Sequence, residues 1–413
     1  MTFQSLDLPG YLIAAIEKLS YEKPTAIQEQ AIPLILEGQD LIAESQTGSG
    51  KTAAFALPVI KLLNDLPPKK NNISVQVLAI APTRELALQV SASFKAYAQF
   101  SPNKLKVVSL IGGEPIDLQI RSLDKGADVA VATPGRLLDL IDHEEIRLSE
   151  LRVLIFDEAD KILDQGFSEQ IDTLLENLPE ERQNLLFSAT LPQKVVKLSE
   201  KFLKDPSCVT IDNGQTAVDV IHQRVIEVDP GNRRLLLQHL ITGEKWNYAL
   251  IFVASKRAAH NLAVKLNRDG IEAEALHGDL DQSERILVLD RFKNRAFPIL
   301  IATDLACRGL DIHELSYVVN YDLPRSPSDY VHRIGRTGRA GHSGTAISFI
   351  DHDTRPHFQL IEKRAGIQLG REKVEGFELS GEAPAKAKNK APIKGKRKSK
   401  KDKLREQAKK AAK

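Results

Sequence analysis

The sequence predicts an α/β protein of two tandem units, each a parallel β-sheet flanked by helices, and three observations carry that expectation. Short β-branched runs ending at turns alternate with stretches of helical period from about residue 40 to residue 350. Most of those runs are continuously apolar, as parallel strands buried on both faces must be. The chain has 413 residues, which at roughly 100 to 200 residues per domain is more than one core fills.

In the first half the expected strands are 40–44, 75–81, 107–111, 128–132, 153–156 and 184–187, with amphipathic stretches such as 167–178 as crossover helices. The polar run Asp212-Asn213-Gly214-Gln215-Thr216 opens an expected linker at 212–220 between a first domain at 1–211 and a second at 221–369. Strands at 249–253, 273–276, 299–302, 317–320 and 346–349 repeat the pattern. Beyond about residue 370 the strand signal stops, and 370–413 reads as a flexible basic tail.

Composition removes several classes. Hydrophobic residues make up 42% and charged residues 27%, which excludes wholesale disorder and fibrous structure. There is no apolar run of about 18 residues to cross a membrane, and the first ten residues lack the regions of a signal peptide, so a cytoplasmic location is expected. Cys208 and Cys307 stand alone, without His or Cys at metal spacing, so neither a disulfide framework nor a zinc site is indicated. The net charge of +2 conceals an asymmetry: 14 Lys or Arg against 3 acids in 381–413 give that stretch +11, leaving −9 for the rest. A basic tail on an acidic body suggests an anionic polymer as partner.

The sharpest local pattern is Ala43-Glu44-Ser45-Gln46-Thr47-Gly48-Ser49-Gly50-Lys51-Thr52, lying between an apolar strand and a helical run. This is a P-loop in its expected context. Gly48 and Gly50 allow backbone N–H groups to converge on phosphate oxygens at a helix N-terminus. Lys51 suits the β- and γ-phosphates, and Thr52 offers a hydroxyl to Mg²⁺. About a hundred residues on, Val153-Leu154-Ile155-Phe156 runs into Asp157-Glu158-Ala159-Asp160, placing carboxylates at the C-terminal end of a buried strand. Open α/β sheets bind ligands there. Asp157 would hold Mg²⁺ mainly through its water shell, and Glu158 would orient and deprotonate the water that attacks a γ-phosphate.

With Asp157 to Asp160 spelling D-E-A-D, the chain resembles the DEAD-box ATP-dependent RNA helicases of superfamily 2, in particular their short bacterial members, over roughly residues 1 to 350. The resemblance implies two RecA-like domains, with ATP and Mg²⁺ as cofactors. It implies an adenine site formed by Phe3 and the segment Ser20 to Gln28, in which Tyr21 stacks, Gln28 reads the base edge, and Lys23 and Thr25 take part. An amide suits that edge because it donates and accepts at once. Ser45, Gln46, Thr47, Gly48, Ser49, Gly50, Lys51 and Thr52 would hold the phosphates, and Gly309 and Asp311 the ribose side. Ser188-Ala189-Thr190 resembles the motif whose hydroxyls bond to the DEAD carboxylates and couple hydrolysis to domain movement.

In the second half His332-Arg333-Ile334-Gly335-Arg336-Thr337-Gly338-Arg339 is specific to the family. By resemblance Arg336 and Arg339 are arginine fingers, and His332 links to the first domain's carboxylates. Guanidinium groups separated by glycines make a poor core but suit planar contact with phosphate. RNA contacts are expected from Pro82, Thr83 and Arg84, from Gly112 and Gly113, from Thr133, Pro134, Gly135 and Arg136, and from Arg285 and Thr303. Such backbone grip is tolerant of sequence. Cys307 stands where the family commonly has alanine.

The reading that results is an RNA-stimulated ATPase, expected as a monomer, that opens short RNA duplexes locally. Ribonucleoprotein, ribosome-assembly and RNA-degradation factors are open as partners, and a membrane is not expected. A translocating DNA helicase and an ATP-timed RNA clamp remain as alternatives.

Overall fold

The computed structural model describes residues 1–46, 48–66, 73–211, 221–307, 315–338 and 344–381. The expected linker at 212–220 and the basic residues from 382 on lie outside the described residues, as do Thr47, Gly309, Asp311 and Arg339. Two seven-stranded sheets organise the rest. In chain order the strands of the first are β1 (Leu41–Glu44), β2 (Val77–Ile80), β3 (Val107–Leu110), β4 (Val129–Ala132), β5 (Val153–Phe156), β6 (Gln183–Ser188) and β7 (Ser207–Thr210). Those of the second are β8 (Ile221–Glu227), β9 (Ala249–Phe252), β10 (Ala273–Leu276), β11 (Ile299–Ala302), β12 (Tyr317–Asn320), β13 (Gly344–Ile350) and β14 (Arg371–Glu372).

Every pairing is parallel, as the continuously apolar runs require. The order in the first sheet is β3-β4-β2-β5-β6-β1-β7 and in the second β10-β11-β9-β12-β13-β8-β14. Period-two alternation sends successive residues of one strand to opposite faces. Val77 and Ala79 therefore join one core, while Leu78 and Ile80 join the other. Phe55, Phe94 and Phe187 fill the first core, with Phe55 ring centroids 6.1 Å from Phe94 and 5.2 Å from Phe187. Burial of each such ring stabilises the domain by about 1.5–3 kcal/mol.

Three strands were not expected from sequence. Ser207–Thr210 is an edge strand in which only Val209 is buried, so its apolar signal is weak. Ile221–Glu227 carries His222, Gln223 and Arg224 in its first half yet pairs along its whole length with β13, from Ile221↔Gly344 to Glu227↔Ile350. The third corrects the assignment of everything beyond residue 370 to a tail. Arg371 and Glu372 pair with Val225 and Ile226 at the sheet edge, and Val374 and Phe377 pack on the second domain's core. Arg224 holds that edge by forking between Glu372 at 2.6 Å and Glu244 at 2.7 Å. Ser380 then bonds through Oγ to Asp229 Oδ2 at 2.6 Å.

Candidate nucleotide site and nucleic-acid interface

β1 delivers the glycine-rich loop and the helix Lys51–Asp65 receives it. Gly48 and Gly50 have φ of 81° and 93°, left-handed values that a residue with Cβ resists. A Cβ on Gly50 would also strike the Gln28 amide and come within 3.0 Å of Thr25 Oγ1. Lys51 is buried and its ammonium donates to the carbonyls of Ser45 at 2.6 Å and Gln46 at 3.1 Å. Ser45 Oγ and Ser49 Oγ are 2.6 Å apart. A phosphate oxygen is a stronger partner for that ammonium than neutral carbonyls are.

Gln28 packs directly behind this loop. Its Oε1 accepts the Thr25 N–H at 3.0 Å, completing a capping box on the helix Ala26–Leu36, and its Nε2 donates to Gly50 O at 3.1 Å. One N–H and one lone pair of the amide are outside these two bonds, enough for a base edge. Tyr21 is 40% exposed and meets Tyr97 edge-on with centroids 6.4 Å apart, while Lys23 and Thr25 are also exposed. Phe3 is 3% exposed and packs in the first core cluster.

β5 ends at the carboxylates. Asp157 is 3% exposed, and burial together with the Glu158 charge pushes it up to about 7 against the opposing pull of Lys51. Glu158 adopts φ 53°, ψ 50° where the helix Ala159–Asp164 begins. A non-glycine residue held there stores strain. Thr190 Oγ1 donates to Asp160 Oδ2 at 2.9 Å, but Ser188 Oγ does not reach a carboxylate: it accepts the Asp160 N–H at 3.3 Å and donates to Thr190 O at 2.6 Å. The tripeptide thus braces the last aspartate of the motif.

One pocket crosses from the first domain to the second, lined by Glu158, Asp160 and Lys161 on one side and by Asp304, His332 and Arg336 on the other. His332 is pushed down to about 3 by burial and by the Lys161 and Arg336 cations, so its imidazole is neutral. Burial pushes the Cys307 thiol in the same pocket up to about 12. Arg333 also lines the pocket, but its donors are engaged within the second domain. Its Nε and Nη2 form a fork on Asp304 at 2.6 and 2.7 Å, and Nη1 donates to Asn320 Oδ1 at 2.9 Å and Asp322 O at 2.6 Å.

The residues expected to grip RNA collect along one edge of each sheet. β3, β4 and β2 are consecutive, and their C-terminal ends lead into Gly112 and Gly113, Thr133 to Arg136, and Pro82 to Arg84. Arg84 lies over the two glycines so closely that a Cβ on Gly113 would collide with its guanidinium. Thr83 caps the helix Arg84–Tyr97 by accepting the Leu86 N–H at 3.2 Å, and Arg136 donates to Glu114 O at 3.0 Å. In the second sheet Thr303 follows β11, beside β10. Arg285 makes a contact not expected from sequence: its Nη2 pairs with Glu85 Oε1 of the first domain at 2.9 Å, both side chains being nearly buried.

Comparison with known proteins is decisive on family. A DEAD/DEAH box helicase family model matches residues 25–198, and a helicase conserved C-terminal domain model matches residues 232–341. The chain is 41% identical over 373 residues to the DEAD-box ATP-dependent RNA helicase CshA of Bacillus subtilis, covering 90% of this chain and 74% of that one. The chain belongs to the DEAD-box ATP-dependent RNA helicases. CshA of Geobacillus kaustophilus is 42% identical over 372 residues, covering 90% and 78%. Among solved structures, S. cerevisiae Dbp5 bound to RNA and ADP BeF3 matches with a TM-score of 0.79 at 34% identity, over 91% of this chain and 96% of that one. Mss116p bound to ssRNA and AMP-PNP gives 0.82 at 30%, over 91% and 80%. The two parallel sheets are accordingly tandem RecA-like domains.

Four ion-pairing residues of this helicase's cleft, Glu85, Lys161, Asp304 and Asp329, were not assigned a role from sequence, because their partners lie far away in the chain or on another element. Glu85 and Asp304 did have a cue, each directly following an expected RNA contact, Arg84 and Thr303.

Proposed function

We propose that the chain hydrolyses ATP under RNA stimulation, and that closure of its two domains on both ligands opens short RNA duplexes locally and remodels RNA or ribonucleoprotein. The observation that carries this reading is the pocket that Glu158 and Arg336 line together from different domains. Neither domain holds a complete set: Lys51, Asp157 and Glu158 belong to the first and Arg336 to the second. Linkage then follows, because ligands that bind across a cleft both favour the closed state and raise each other's affinity.

Glu158 orients and deprotonates the attacking water, Lys51 holds the phosphates, and Arg336, with Arg339, neutralises charge developing on the transferred group. Gln28 and Tyr21 recognise adenine. Thr52 and Asp157 fit Mg²⁺: a buried carboxylate whose proton is held as tightly as that of Asp157 has a cation as its natural counter-charge. Among the described residues no cluster of three or more His, Cys, Asp or Glu is built to hold a metal directly, which suits an ion carried mostly by water and phosphate. Thr52 and Asp157 would hold the ion, which would supply positive charge beside the phosphates.

The edges carrying Arg84, Gly112, Gly113, Arg136 and Thr303 take the RNA backbone, and the basic 382–413 adds grip without sequence preference. Among the described residues no helix is long and apolar enough to cross a membrane, and a cytoplasmic place of action belongs to this proposal.

The test is ATP turnover with RNA, with DNA of the same sequence and with neither, alongside strand displacement on a short RNA duplex with ATP and with a non-hydrolysable analogue. Stimulation by RNA above DNA, with displacement of the strand, is expected. Turnover indifferent to RNA would overturn the reading.

A further inference from the structure

Between the two domains the structure makes a contact that the catalytic reading does not use. Lys161 lies in the helix Ala159–Asp164, three residues after Glu158. Its Nζ is 3.6 Å from Asp329 Oδ1 of the second domain, with side-chain exposures of 7% and 16%. Asp329 occupies the first turn of the helix Pro327–Ile334, which carries His332 and Arg333 and leads through Gly335 to Arg336.

Asp329 is itself fixed. Its N–H donates to Ser326 Oγ at 3.1 Å, and that hydroxyl donates to Asp329 Oδ2 at 2.7 Å. A carboxylate in the first turn is favoured by the helix dipole. One oxygen thus ties down the helix start and the other meets the cation of the opposite domain. At the far end of the same helix Arg333 is locked by its fork on Asp304, so the helix moves with its domain as a rigid lever.

We propose that Lys161 is a positioning residue: its pair with Asp329 docks the start of the helix Pro327–Ile334 against the DEAD helix and so sets how Arg336 approaches Glu158. From Asp329 to Arg336 is roughly 10 Å at the rise of a helix. A small change of direction at the docked end moves the guanidinium by an ångström or more, and misplacement of that size can cost on the order of 10²-fold in rate. The pair is nearly out of water, so salt screens it less than a surface pair. Stability is not the inferred role, since buried pairs seldom add much of it. This inference rests on Arg336 acting in the hydrolysis proposed above.

The experiment uses the full chain with Lys161→Met, Asp329→Asn, the double variant and Lys161→Arg. Asparagine keeps the bonds to Ser326, so Asp329→Asn tests charge and not capping. RNA-stimulated kcat should fall about 10-fold in each single variant, in the range of ordinary coupling energies. The double variant should be no worse than the poorer single, as non-additivity within one pair requires, and Lys161→Arg should recover most of the loss. RNA affinity without nucleotide should stay within about twofold, while the gain in RNA affinity on adding a non-hydrolysable ATP analogue shrinks. A structural staple would instead lower the thermal midpoint and leave that gain intact, and this outcome overturns the proposal.

So would single variants within about twofold of the parent, or losses that multiply in the double variant. A severe Lys161→Met beside a silent Asp329→Asn would overturn it too, by placing Lys161 on the nucleotide. Failure of the underlying reading is separately visible, because the parent protein would then show no RNA stimulation at all.

Discussion

The two sheets share one strand permutation, so each strand of the second domain corresponds to the strand seven places earlier in the first. The helix that follows β1 opens on Lys51, and the helix that follows β8 opens on Arg233. The cations then diverge. Lys51 rests against carbonyls of a glycine-rich loop, whereas Arg233 pairs with Asp351 at 2.6 Å and Asp322 at 3.0 Å and donates to Tyr321 O at 3.1 Å. The pole of the first sheet thus holds its cation on loop carbonyls. Filled with carboxylates, the same pole becomes a brace. On the function proposed above, one scaffold yields a nucleotide-holding domain and an arginine-supplying one.

The largest effect expected tests the asymmetry at the cleft. Arg336→Ala should cut RNA-stimulated turnover by about 10³ or more and leave RNA-free nucleotide affinity, measured by titration calorimetry, close to that of the parent. A loss confined to nucleotide binding would put Arg336 on the wrong side of the comparison. Next comes the pair of corresponding cations. Lys51→Ala should abolish measurable hydrolysis with little change in thermal midpoint, while Arg233→Ala should destabilise the second domain by about 1–3 kcal/mol, since it removes charge-assisted bonds to Asp322 and Asp351, which keep those from Ala254 and Thr354. Denaturant titration of both variants decides it, and equal stability losses would break the contrast.

The corresponding loops give a finer test. Gly50→Ala meets both a left-handed backbone and the Gln28 amide, whereas Gly231 has open space around a would-be Cβ. The first substitution should cost about 1–3 kcal/mol of local strain together with most turnover; Gly231→Ala should stay within ~0.5 kcal/mol on stability.

The smallest effects concern pH, and the domains should respond with opposite signs. Asp157 has a folded value raised to about 7, so the folded state binds its proton more tightly and stability falls as pH climbs from about 4 to 7. Asp157→Asn should therefore gain on the parent above pH 7 in nucleotide-free, metal-free buffer. His332 has a folded value lowered to about 3, so the unfolded state binds the extra proton and stability is lost as pH falls below about 6.5. His332→Gln should lose less than the parent between pH 6.5 and 4. Thermal scans across pH read both, and shifts of the same sign would refute the assignment.

Legibility from sequence followed the same divide between local and distant. β5 and its carboxylates, and β1 with its loop, are contiguous, so residue order alone placed Lys51, Asp157 and Glu158. Strands β5 and β11 were read to the residue as uninterrupted apolar runs, and β10 and β12 as runs broken only by Glu274 and Asn320. β8 and β14 were not, since Arg224 and Arg371 are held by ion pairs with Glu372 and Glu362 instead of by hydrophobic burial. Arg333 and Arg336 look alike in sequence, three residues apart on one motif. Only the positions of Asp304 and Asn320 make the first a strut. Arg285 was expected on RNA, and its pairing with Glu85 across 200 residues of chain could not be read from either neighbourhood.

β14 has one more consequence. A long open strand at a sheet margin invites a second molecule to add its own, and the seventh strand here offers only two residues, both charged and both already committed to Glu362 and Arg224. The margin is too short and too ionic to serve as a template. Fibrillar self-association should not begin from that side of the protein, however concentrated it becomes.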